Sequence, residues 1–200
     1  MGEAELEIHP LTRDRWDDLA NLFDRPGDPK GCWCMFYRAR GREFERLWGA
    51  GARAAFREVV GQGPPPGLLA YRDGTPVGWC AVAPREAYPR ILRSRVVGPL
   101  DAEEAGCWSV VCFYVLRSER RGGVAAELLD AAVAFAAGHG ATAVEGYPKD
   151  TAGDRTHANE LFVGSMSMFA EAGFTEAGRR SPTRPIMRRA APQRPRRARR

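Results

Sequence analysis

The chain has 200 residues, 44% hydrophobic and 10% aromatic, a globular composition long enough for one α/β domain with a substantial core. Its formal charge is +5, but Arg188, Arg189, Arg194, Arg196, Arg197, Arg199 and Arg200 crowd the last 13 residues, and without those seven the remainder carries −2. The body is therefore not a basic nucleic-acid-binding surface. No stretch reaches the ~18 apolar residues of a membrane span. The start, "MGEAELEIHPLTRDRW", lacks a secretory pattern, and the odd total of five cysteines argues against a secreted disulfide framework. A soluble, reduced, cytoplasmic protein is expected. Lys30 and Lys149 are the only lysines, and with abundant Ala and Gly this suggests a GC-rich bacterial genome.

In chain order, "ELEIHPL" alternates as a first strand, and Thr12 precedes a helical pattern with Trp16, Leu19, Ala20 and Phe23 on one face. "RPGDPKG" breaks the chain. After it come the Cys- and aromatic-rich "CWCMFYRARG" and one helix through "REFERLWGAGARAAFREVV". Beyond the loop "GQGPPPG" the period becomes two, and "LLAYRDGTPVGWCAVAP" reads as two strands joined at Asp73-Gly74. "REAYPRILRSR" is irregular or briefly helical. "CWSVVCFYVL", residues 107–116, is a continuous apolar run of the kind buried on both faces of a sheet. A helix over 122–138, a strand in "ATAVEGYP", a helix near "LFVGSMSMFAEAG", and strands "FTEAG" and "PIMRR" complete the body. The order predicts an α/β fold: a mixed, mostly antiparallel central sheet with one βαβ unit over 107–147 and helices on both faces. The tail "APQRPRRARR" has no apolar face and is expected to be disordered. Residues 1–189 then form a single domain and 190–200 a tail.

The most specific stretch is "RSERRGGVAAELLDAAVAFA". Gly122 and Gly123 stand where a buried strand turns into a helix, although Ser, Thr, Asp or Asn would cap that helix better. Such a turn collects free N–H groups and the positive end of the helix dipole, an arrangement that suits an anion, and Arg120 and Arg121 add charge. The pattern is neither a P-loop nor a dinucleotide fingerprint.

Arg120-Arg121-Gly122-Gly123-Val124-Ala125 resembles the R/Q-x-x-G-x-G/A signature of the GNAT acetyltransferases. The strand "FYVLRSE" before it and "MFAEAGF" about fifty residues later are similar to other pieces of that superfamily, so the resemblance covers about residues 67–188. It implies the acyl-CoA N-acyltransferase fold and acetyl-CoA as cosubstrate, with no metal. Backbone donors from Arg121, Gly122, Gly123, Val124, Ala125 and Ala126 would cradle the pyrophosphate. The strand around Phe113, Tyr114 and Val115 would pair with the pantetheine arm. The family commonly carries a Tyr acid at the second position of x-Y-x-x-x-G-F and an Asn seven residues earlier; here these positions are Phe169 and Phe162.

Acetyl transfer needs a neutral amine, an N–H donor for the developing oxyanion and a proton for the departing thiolate. The residues do not single out a base. Glu145, on the strand after the glycine-led helix, and His157, in "KDTAGDRTHANE", are candidates, with Tyr147 and Ser165 as substitute acids and water as a relay. Cys32-Trp33-Cys34 has C-x-C spacing with no second pair nearby, so packing is favoured over zinc. Trp33, Phe36 and Tyr37 are candidates for the acceptor pocket, which residues 1–60 would cover. The expected partners are acetyl-CoA and an amine-bearing small molecule. No membrane partner is expected, nucleic acid would bind only weakly through the Arg tail, and a homodimer is left open. The alternative is an acyl-CoA-binding sensor module without turnover.

Overall fold

The computed structural model describes residues 5–25, 31–101, 103–151 and 158–192. Seven strands, β1 (Leu6–Pro10), β2 (Gly67–Arg72), β3 (Thr75–Pro84), β4 (Cys107–Val115), β5 (Ala143–Gly146), β6 (Thr175–Arg179) and β7 (Pro185–Ala190), form one sheet in the order β1-β2-β3-β4-β5-β7-β6. Only β4 and β5 pair in parallel, as the βαβ reading requires, and every other pair is antiparallel. Asp73 and Gly74, with φ of 49° and 71°, make the tight turn between β2 and β3. The mixed, mostly antiparallel sheet of the GNAT-type fold is thus present. Among the described residues, no helix is long and apolar enough to cross a membrane.

Both faces of the sheet are covered. The helix α5 (Val124–Gly138) buries Val124, Leu128, Leu129, Ala132, Val133 and Ala136. It lies against β3 at Gly78, where a Cβ would stand 2.8 Å from Val124 Cγ1. The neighbouring Trp79 points to the opposite face, as alternation along a strand demands. There it meets Phe23 of α1 (Trp16–Phe23) and Phe56 of α3 (Ala50–Gln62).

Two expected helices are broken. The pattern over "REFERLWGAGARAAFREVV" divides into α2 (Gly41–Leu47) and α3, because Trp48 is extended (ψ 135°) and Gly49 takes φ 78°. Its apolar period continues across the break, so periodicity alone could not reveal it. A short helix, α4 (Pro89–Leu92), follows β3. The helix near "LFVGSMSMFAEAG" is a 3₁₀ segment (Ala158–Val163) and a separate α6 (Met166–Glu171), divided at Gly164 with φ 80°. At the C-terminus β7 runs one residue past Arg189. Ala191 is buried, and its N–H donates to the Thr142 carbonyl at 2.9 Å. The last strand therefore extends beyond the expected limit at 189, while 193–200 lie outside the described residues.

The feature that positions the site is the end of β5. The β4–β5 ladder runs from Cys107–Ala143 to Val110–Gly146, after which β5 stops and β4 continues to Val115. This leaves one edge of β4 without a strand beside it. Phe169 of α6, fully buried, is wedged at the parting, with its ring 6.2 Å from that of Phe113 and 5.0 Å from that of Phe174. A Cβ on Gly146 would lie 2.0 Å from Phe169 Cε1. Gly146→Ala is therefore expected to destabilise the protein by more than about 2 kcal/mol through overpacking. The check is the urea midpoint, and a change below about 0.5 kcal/mol would show that the wedge is loose.

Candidate functional site

The turn from β4 into α5 has backbone conformations that side chains alone do not explain. Arg121 has φ 71° and Gly123 φ 79°, on either side of Gly122. Left-handed residues in such alternation turn successive N–H groups toward one concavity, as in anion-binding nests. The N–H groups of Ala126 and Glu127 are both taken by the Gly123 carbonyl (2.9 and 3.1 Å), and that of Gly122 goes to Glu119 at 3.3 Å. Among the described residues Gly123, Val124 and Ala125 have no such carbonyl partner. The expected donor set of 121–126 is thus narrowed, since Gly122 and Ala126 are already engaged within the protein.

Close packing does not account for the glycine pair. A Cβ at Gly122 would meet only the Glu119 carbonyl, at 3.3 Å, and one at Gly123 only Glu127 Oε1, at 4.0 Å. The glycine that lets helix and sheet approach is Gly78. Gly122 and Gly123 are exposed and meet no side chain closer than 4.0 Å, and the N-terminal end of a fifteen-residue helix supplies the donors. The residues present fit a pyrophosphate at this turn. Arg120 Nε donates to the Val115 carbonyl at 3.0 Å, tying the turn to the free end of β4. Phe113 is buried against Phe169, and Tyr114 packs its ring on Phe23 at 5.6 Å.

The proposed acid and base candidates separate. Glu145 is 1% exposed and lies 3.4 Å from Arg85 Nη1 and 3.2 Å from Arg188 Nη1, and it accepts from the Tyr147 hydroxyl at 3.1 Å. It is a buried counter-charge, not the cleft-facing carboxylate that the strand pattern allowed. Tyr147, also buried, donates its hydroxyl hydrogen bond to Glu145 and stands 2.9 Å from Ser109 Oγ. Burial, and then the Glu145 charge, push its hydroxyl well above the ordinary 10, so it stays protonated and engaged. Ser165 caps α6, accepting from the Met168 N–H at 3.3 Å, and its hydroxyl lies 3.1 Å from Ser167 Oγ. His157 lies outside the described residues.

Glu104, Cys107 and Glu145 are the one group of potential metal ligands gathered among the described residues. Two guanidiniums already fill that place: Arg85 lies against Glu104 and Glu145, and Arg188 forks onto both Glu104 oxygens. Nearby carboxylates push the Cys107 thiol in the same direction as burial, the larger cause, to about 12, so a ligating thiolate is disfavoured. Cys34 accepts from Trp79 Nε1 at 3.0 Å, and all five cysteines are free.

The aromatic loop packs in two directions. Trp33 is a correction: it stacks on Trp16 at 5.7 Å, meets Phe23 edge-on and lies under Arg53, inside the N-terminal core and not on a pocket wall. Tyr37 and Phe36 lie elsewhere. Tyr37 Oη is 3.5 Å from Arg184 Nη2, and Phe36 carries Arg90 over its ring at 4.2 Å. Phe162, expected at the cofactor, lies 6.5 Å from the Phe36 ring and is one of the few large apolar side chains left exposed. Arg38, Tyr88, Arg90 and Arg184 were missed in the sequence because they meet only through contacts spanning 50 to 147 positions. No local pattern marks them.

The Arg85–Glu145 contact joins a side chain 2% exposed to one 1% exposed. Glu145→Gln removes that counter-charge and is expected to cost about 2 kcal/mol, less than breaking an isolated buried pair, since Glu104 at 3.6 Å still faces Arg85. Thermal and urea unfolding check this, and a loss below about 1 kcal/mol would count against it. Glu104 is held below its ordinary 4.5 mainly by its hydrogen bonds to Arg188. Its folded value lies below the unfolded one, so its contribution is present above that range and lost as pH falls through the folded value. Glu104→Gln should therefore flatten the acid limb of stability against pH.

The family model described as acetyltransferase (GNAT) family matches residues 33–163. No curated protein matches the sequence. Among solved structures, an acetyltransferase of the GNAT family from Streptococcus pneumoniae is similar at 12% identity and TM-score 0.55, covering 94% of this chain and 100% of its own. The PaiA N-acetyltransferase of Thermoplasma acidophilum, solved with coenzyme A, is similar at 14% and 0.52, with 93% and 99% covered. A GNAT family acetyltransferase from Brucella melitensis, in complex with acetyl-CoA, is similar at 15% and 0.51, with 96% and 92% covered. At such identities these likenesses concern the fold, and the family follows from the model spanning well over half of the chain: this protein belongs to the GNAT family of acetyltransferases.

Proposed function

We propose that the chain is a cytoplasmic enzyme that transfers the acetyl group of acetyl-CoA to the amine of a small molecule. The observation that carries this reading is the Gly122–Gly123 turn. Its alternating backbone, open surroundings and unshared first-turn N–H groups stand at the carboxyl end of β4, beside the strand edge that β5 leaves free. Gly123, Val124 and Ala125 would hold the pyrophosphate through their N–H groups, and Arg121 would add charge. Bound acetyl-CoA supplies the activated acyl carbon. The open edge of β4 over Phe113–Val115 aligns the pantetheine arm as an added strand and offers a backbone N–H to the carbonyl oxygen as it gains charge.

Glu145 and Tyr147 are committed to the buried ion-pair group, so proton removal from the amine falls to His157 or to solvent. Phe169 offers no proton to the departing thiolate. A thiol of pKa about 8.5 leaves without a strong acid, which keeps turnover compatible with Phe at this position. The same residue favours the second reading, a module that holds acyl-CoA without turnover. Free CoA release with a panel of amines separates the two.

Gly122→Glu tests the cradle. The position is exposed and free of the positive φ that would strain a side chain at Gly123, so a folded variant is expected. The added carboxylate should weaken acetyl-CoA at least ~10-fold in calorimetry, by charge repulsion and obstruction together. Unchanged affinity would remove the turn from the cofactor site.

A further inference from the structure

Several partly or fully buried arginines differ in whether a carboxylate faces them. Arg85, Arg179, Arg188 and Arg189 each reach a carboxylate within 4 Å. Arg38, Arg90 and Arg184, which gather on the acceptor side of the sheet, have none among the described residues. Arg38 lies over the Tyr88 ring at 4.7 Å with one long contact, 3.5 Å, to its hydroxyl. Arg90 lies over Phe36. Arg184 has one short bond, 2.9 Å, to the Tyr147 carbonyl, just beyond the end of β5. Each guanidinium offers five N–H donors, so most go unused, and Arg38 Nε and Arg184 Nε are buried with no partner, as is Nε of the carboxylate-paired Arg85.

Arg184 and Arg90 reach the same pair of rings, Tyr37 and Phe36, whose centroids lie 4.9 Å apart, and Arg38 lies over Tyr88, two residues before Arg90. Cys112 of β4 lies near both tyrosine hydroxyls. Cys112 lies two residues past Val110, on the part of β4 that has left β5. The cluster therefore borders the parting where the acyl group would be presented. Three half-buried cations without counter-charges are costly unless an anion joins them. Planar guanidiniums on aromatic faces, with free N–H edges, are preorganised for an oxyanion.

We propose that the acceptor amine also carries an oxyanion, a carboxylate or a phosphate, received by Arg184, Arg90 and Arg38 with the Tyr37 hydroxyl. The anion fixes one end of the acceptor and leaves its amine free to reach the acyl carbon. This rests on the transferase reading for the word acceptor, but anion binding can be measured apart from it.

The test titrates 4-aminobutyrate against its amide, and O-phosphoethanolamine against ethanolamine, into the full chain with saturating CoA and again without it. One anionic probe should bind at least ~10-fold tighter than its neutral partner, as for charge-assisted hydrogen bonds. Arg184→Gln and Arg90→Gln should each abolish most of that preference, with acetyl-CoA affinity and melting temperature retained, and Arg184→Lys should keep part of it. Which pair shows the preference identifies carboxylate or phosphate. No preference in either pair, or a preference surviving both Gln substitutions, overturns the proposal. Failure of acetyl-CoA to bind the wild type would instead fall on the transferase reading, because the probe titrations without CoA do not depend on it.

Discussion

The functional geometry depends on the parting of β4 from β5. Parallel pairing holds the two strands together for four residue pairs, from Cys107–Ala143 to Val110–Gly146. Beyond that point Phe169 occupies the space where a ladder would continue, and Gly146 is the residue that admits the ring. The cost of ending a ladder is a row of unpaired backbone groups. In a protein that binds an extended chain, that row is the binding surface. The glycine turn, the free β4 edge and the acceptor-side arginines are all arranged around it.

Charge is used in two physically different ways on either side of β5. Toward β7, Arg85, Glu145, Glu104 and Arg188 balance one another's charge, with Tyr147 and Ser109 joined by hydroxyl hydrogen bonds. Such a closed group favours one arrangement of the sheet over others, and it leaves little capacity for chemistry. Toward the N-terminal loop, Arg38, Arg90 and Arg184 rest on aromatic rings and a carbonyl, with donors to spare.

The N-terminal third supplies the second wall. Trp16, Trp33, Phe23 and Phe56 pack with Trp79 into a continuous aromatic layer. This layer holds the start of the 31–40 loop against the N-terminal helices. Trp33 thus contributes to the cleft only through the loop it anchors. The backbone at Trp33 and Cys34 takes φ of 44° and 54°, uncommon for such residues, and the burial of both side chains offsets that cost.

Much of this was written locally in the chain. The Asp73-Gly74 turn, the doubly buried run of β4 and the stripe of α5 follow from near-neighbour chemistry, and so did the mixed sheet with a single parallel pair. The Gly122–Gly123 turn was legible because an anion cradle is built from consecutive backbone groups. The helix breaks at Gly49 and Gly164 were hidden, since the apolar period runs on through both. Glu145 looked available as a base because the sequence shows a carboxylate on a strand but not the two arginines, 60 and 43 positions away, that neutralise it. Trp33 and Tyr37 looked alike as loop aromatics, and only packing set one among Trp16 and Phe23 and the other beside Arg184. Sequence by itself determined what consecutive residues can decide, namely most of the elements, the mixed sheet and the glycine turn. Tertiary structure alone decided which charges are paired and which are left open, because a guanidinium's partner is set by distance in space.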